Sequence, residues 1–166
     1  MLFKLMAGGM LLTVVMMMLS PLQREKERVD YANLQIKNLK VLIASAQKRM
    51  DKELEVFAAH AVKFTEMSDA MITHLTLAMS AAHKQRFMTE MGAAIATTAA
   101  LQVKVQRCSK ASTDRYESAK SVMRAAVSKS GIDNAFTSTQ ALLKGDIDCV
   151  KEASATVAQL AEKLHL

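Results

Sequence analysis

From Val29 the chain places an apolar residue at every seventh position: Val29, Ile36, Ile43, Met50, Phe57, Phe64, Met71 and Ala78. The companion position three residues on reads Ala32, Leu39, Ala46, Glu53, His60, Met67, His74 and Ala81, and it turns polar midway. There the stripe slides one place over, to Leu54, Ala61, Leu75 and Ala82. A straight helix of ~3.6 residues per turn drifts in this way against a seven-residue count. The apolar face is therefore broad, closer to a bundle helix than to the narrow seam of a two-stranded coiled coil. No glycine or proline interrupts Leu22 to Met91. The pattern predicts one long rod or a bent pair of helices. The favoured break is Thr65 to Asp69, where Thr65, Ser68 and Asp69 offer capping side chains.

Ahead of the stripe lies LMAGGMLLTVVMMMLSPL, Leu5 to Leu22, without a charged side chain. As a helix it is about 27 Å long, close to the thickness of a thin hydrocarbon core. Lys4 precedes it, and Arg24, Lys26 and Arg28 follow within reach of headgroups. Pro21 falls at the exit, where a bend costs least. A cleaved secretory signal is the rival reading. It needs small residues at the cut, and Ser20 is followed by Pro21 while Met18 holds the other small-residue position. An uncleaved anchor is the preferred expectation. The run Ala70 to Ala82 is too short for a second span and contains His74.

Beyond Met91 the texture changes twice. Gly92, Ala96 and Ala100 share one side of a helix and would let another helix approach closely. A hinge at Gly92 is the competing reading. Ser109, Ser112, Thr113 and Asp114 then predict a new helix start, and Gly131 its stop. Asp133 or Asn134 would cap a short helix ending near Gly145. Asp146 or Asp148 would open a last helix with Val150, Val157, Leu160 and Leu164 on its apolar side. The expected fold is all-α: an N-terminal single transmembrane helix continuing into a long helix, with shorter C-terminal helices folded back as a bundle. The expected organisation is a membrane anchor over 1–22, a helical stalk or helix pair over 23–107, and a C-terminal helical segment over 108–166. Five glycines, one proline and no tryptophan in 166 residues agree with helices throughout.

The net charge of +6 is concentrated. Lys104, Arg107, Lys110, Arg115, Lys120, Arg124 and Lys129 face only Asp114 and Glu117 in the same stretch. That makes an anionic neighbour one reading and a solvated helix face the other. Tyr116 is the single aromatic among these charges, which disfavours nucleic acid.

Candidate chemistry changes little. Cys108 and Cys149 can form a disulfide, which would place the domain in an oxidising space, or can remain two buried thiols. His60, His74 and His83 with Met67, Met71 and Met79 could in principle make a soft-metal or haem site, and His60, Met67 and His74 share a face, although methionine at core positions is more often filler than ligand. No His-Glu-x-x-His, phosphate-cradling glycine loop, nucleophile elbow or Cys-x-x-Cys is present. The acidic pair Asp146 and Asp148 reads as helix capping. No enzyme and no cofactor are expected.

The layout of anchor, long helix, Cys108, the turn Ser130-Gly131-Ile132-Asp133-Asn134-Ala135 and a final helix resembles the inner-membrane spanin subunits of phages. That resemblance covers about thirty residues. It implies a lysis or envelope-bridging protein whose helical domain meets an outer-membrane partner. The chain departs from it in the apolar character of residues 57 to 103 and in lacking a C-terminal cysteine.

The sequence therefore leads to a single-pass structural or assembly subunit of a larger complex in a bacterial or mitochondrial inner membrane. Its partners would be membrane lipid, other subunits docking on the apolar stripe, and further copies of itself. The spanin-like effector and a Met/His metal-sensing bundle are the alternatives. The side of the membrane holding the bundle stays open: the basic residues after the span argue for the inner side, and cysteine pairing for export.

Overall fold

A computed structural model describes residues 2–75 and 80–164, with side chains from Pro21 onward apart from Leu75, Ser112 and Thr113. Three helices account for nearly all of it: α1 (Leu2–Leu75), α2 (Ala81–Ala125) and α3 (Lys129–Lys163). Each packs against the other two, in an up-down-up arrangement. Among the described residues there is no strand.

The 74 residues of α1 extend over about 110 Å. Pro21 lies inside this helix rather than at an exit from it. The break expected at Thr65 to Asp69 does not occur. The hydroxyls of Thr65 and Ser68 donate to the Ala61 and Phe64 carbonyls one turn back, at 2.9 and 2.7 Å. These side chains are thus satisfied inside the helix, and no cap is required of them. The chain reverses after Leu75 instead, where neither glycine nor proline stands. Ser80 precedes α2 in an extended conformation, with its hydroxyl paired to His83 Nδ1 at 2.8 Å.

The helix start expected at Ser109 to Asp114 is absent as well, because α2 runs through it without interruption. Gly131 does not end a helix. Ser128 caps α3, and its Oγ accepts the Gly131 N–H at 3.1 Å, so the glycine belongs to the first turn of α3. Nor is there a break at Gly145. The two short helices expected after Gly131 are one helix of 35 residues.

Two buried clusters hold the bundle together. The lower one joins Ile36, Leu39, Ala119, Met123 and Ile132. The upper one joins Met50, Phe57, Phe64, Val105, Val150 and Val157. Cys108 of α2 and Cys149 of α3 are bonded beside the upper cluster. The register is visible in the polar links: Tyr31 with Asp133 near the base, Glu53 with Lys151 midway, and His60 with Ser154 near the top. Arg28 donates to the Ala126 carbonyl, which sets the α2–α3 turn at the level of Arg28. Residues 21–27 below it are exposed.

Among the described residues no helix is long and apolar enough to cross a membrane. The anchor expected over Leu5 to Leu22 falls, up to Ser20, on residues whose side chains lie outside that description, so the structure lends it no support.

Candidate functional surfaces

The heptad stripe was expected to receive other subunits, and most of it is already occupied. Ile36, Met50, Phe57 and Phe64 are buried against α2 and α3, and Ile43 and Met71 are half-buried. Val29 remains 41% exposed near the base, and Ala78 lies outside the described residues. The broad apolar face serves two neighbours, both supplied by the same chain.

Gly92, Ala96 and Ala100 behave differently. All three are exposed, and a Cβ added at Gly92 would meet nothing within 4 Å. Met91, Ala94 and Val105, on the other side of α2, are buried instead, Ala94 and Val105 in the cluster that includes Met50, Phe57 and Phe64 of α1. Ile95 and Val103 stand exposed beside the small residues. No hinge forms at Gly92, since α2 is continuous there.

The basic stretch is not one patch. Arg115 is committed to Asp146, donating Nε to Oδ2 at 2.6 Å and Nη2 to Oδ1 at 2.7 Å. Lys120 pairs with Glu117 at 3.1 Å and lies 5.5 Å from the Tyr116 ring centre. Lys104, Arg107, Lys110, Arg124 and Lys129 stay exposed. From Lys104 to Arg124 the helix rises about 30 Å, so the charges follow the bundle axis and do not gather on one plane.

Of the metal candidates, His60 and Met67 border the same shallow groove near the end of α3, and His74 is exposed two turns beyond Met67. His60 and His74 are separated by about 21 Å of helix rise, too far for one ion to hold both. His60 Nδ1 is paired with Ser154 Oγ at 3.1 Å. Among the described residues no group of three histidine, cysteine or carboxylate side chains is placed to hold a metal.

Several residues that matter were not singled out beforehand, and the role given to Asp146 is corrected. It is 6% exposed and lies in the middle of α3, so it caps nothing. The double hydrogen bond from Arg115 keeps the guanidinium above its ordinary pKa, with burial acting in the opposite sense and the carboxylate charge adding to the rise. The signal was available. Thr139, Leu143, Asp146, Val150, Ala153 and Val157 alternate spacings of four and three, which puts Asp146 on the buried face of α3.

The ties at the base of the bundle are not among the sequence-based expectations. The Arg28 side chain forks between Glu25 and the Ala126 carbonyl. The Tyr31 hydroxyl donates to Asp133 Oδ1 at 2.6 Å, and the Lys129 ammonium lies 5.6 Å from the Tyr31 ring centre. Between these ties the turn pushes Val127 into solvent, 92% exposed. No family model, curated protein or solved structure matches this chain.

Proposed function

We propose that the chain is a membrane-tethered helical subunit that acts by packing and not by catalysis. Helix continuity carries the reading. α1 runs unbroken from the charge-free segment at Leu5 to Leu22 into the buried core at Ile36, Met50 and Phe64, so one element would serve as both tether and stalk. A rigid helix passes the orientation of its membrane half directly to the bundle, as a flexible linker does not.

Because the stripe on α1 is covered by α2 and α3, a partner subunit or a second copy would dock elsewhere. The exposed side of α2, with Gly92, Ile95, Ala96, Ala100 and Val103, is the surface available for it. The Cys108–Cys149 bond supports placing the bundle on the oxidising side of a bacterial or mitochondrial inner membrane.

The test is alkaline carbonate extraction of native membranes, followed by labelling with a membrane-impermeant maleimide with and without reductant. A tethered subunit stays in the pellet, and its two cysteines react from the oxidising side only after reduction. Release into the supernatant, or labelling without reductant, would overturn the assignment. Site-specific photocrosslinking from position 96 should then yield a discrete adduct; a crosslink-free bundle would remove the assembly role.

A further inference from the structure

Resting on that tethered reading, we infer that the α2–α3 turn and the adjoining part of α1 form a second membrane contact, a foot that touches the headgroups of an anionic bilayer. The turn hangs on the side of the bundle from which α1 continues toward Leu22. Arg28 holds it there through the Ala126 carbonyl. From Arg28 to Leu22 the helix rises about 9 Å, comparable with the headgroup layer of ~5–7 Å on each side of a bilayer. A turn at the level of Arg28 therefore reaches the membrane surface when Leu22 ends the span.

The composition of the foot suits that plane. Val127, in the tight α2–α3 turn, is 92% exposed, and Leu22, on α1, is 67% exposed, each an apolar side chain left in solvent beside charged residues. Pro21, Arg24, Val127 and Lys129 border one cleft of about 390 Å³, so the turn lies alongside the helix just past the apolar segment. Arg24, Lys26, Arg124 and Lys129 are exposed around it. These cations, with Arg28, outnumber the local carboxylates Glu25, Glu27, Asp30 and Asp133; Glu25 is taken by Arg28, and Asp133 accepts from Tyr31. An apolar tip ringed by Lys and Arg is what a headgroup layer accepts: the tip enters the boundary and the cations meet lipid phosphates. With the foot down, the bundle has two attachments and cannot pivot freely about α1.

The chain has no tryptophan, so one introduced residue reports without background. The full chain is reconstituted in phosphatidylcholine vesicles with and without phosphatidylglycerol, carrying nitroxide quenchers either at the headgroup or deep in the acyl chain. Three single reporters are compared: Val127→Trp at the foot, Val14→Trp in the apolar segment, and Val103→Trp about 36 Å up α2 as a control far from the foot. The headgroup quencher should reduce Val127→Trp emission at least twofold more than Val103→Trp, and Arg24→Gln with Lys129→Gln should weaken that difference. Deep quenching of Val14→Trp together with a Val127→Trp that behaves like Val103→Trp would sink the foot while leaving the tether standing. An unquenched Val14→Trp would sink the tether itself. Equal Val127→Trp quenching with and without phosphatidylglycerol would overturn the requirement for anionic lipid. Because Val127 is almost fully exposed, its replacement leaves the packed core intact.

Discussion

Among the described residues Arg115 and Asp146 form the single ion pair between α2 and α3, part-buried on the arginine side and buried at the carboxylate, with both guanidinium bonds at 2.7 Å or less. The carboxylate side chain is 8% exposed and the guanidinium 25%. Removing one member leaves the other desolvated and without a counter-charge, which costs far more than the intact pair contributes. Arg115→Met is expected to lower stability by about 3 kcal/mol, read as a shift of the urea midpoint at unchanged slope. Arg115→Met with Asp146→Leu should recover most of the loss. An equally unstable double variant would mean that the pair matters for its shape and not for its charge.

The Cys108–Cys149 bond closes a separation of 41 residues across the α2–α3 turn. Restricting the unfolded chain in that way corresponds to about 4 kcal/mol in the loop-entropy treatment. Reductant should therefore lower the melting temperature of the purified chain, and the Cys108→Ser, Cys149→Ser variant should be insensitive to reductant. Helical content before melting should stay the same, since both cysteines lie inside helices.

Tyr31 titrates above its ordinary value of 10.0, first because its hydroxyl donates to Asp133, with the bond from Gln35 working the other way. A raised folded pKa means the neutral phenol is favoured in the fold. Its contribution is complete below the unfolded pKa and disappears as pH climbs through the folded one. Phenolate absorbance in a Tyr116→Phe background should show the rise, and Asp133→Asn should bring it back toward 10.0. Unchanged titration after that substitution would exclude the hydrogen bond as the cause.

Positions on one heptad stripe should differ sharply. Phe64 is 1% exposed, whereas Val29 is 41% exposed. Phe64→Ala should cost about 3–5 kcal/mol through the cavity it opens. Val29→Ala should change stability by less than about 0.5 kcal/mol. Thermal denaturation of the two variants checks both, and similar losses would show that Val29 is covered in solution.

Much of this architecture was legible beforehand, and where the reading failed it failed for one reason. The absence of glycine and proline from Leu22 to Met91, with apolar residues at helical spacing, pointed to one long rod or a bent pair and picked out most of the buried positions of α1, Ile36, Met50, Phe57 and Phe64 among them. Those are local properties: periodicity and propensity act within a turn or two of the residue that carries them. Which polar residues end a helix is decided elsewhere. Thr65, Ser68 and Asp146 all looked like caps, yet each finds its partner inside a continuous helix, the first two one turn back and the third on α2. Gly131 and Gly145 looked like stops, yet both are helical because packing along α3 outweighs their weak local preference. Only the tertiary structure could decide that the stripe is covered by its own chain, that Cys108 meets Cys149, and that Val127 is left exposed at the base. Each depends on where the helices align, and that alignment is set by groups about a hundred residues apart, such as Arg28 and Tyr31 against the Ala126 carbonyl and Asp133.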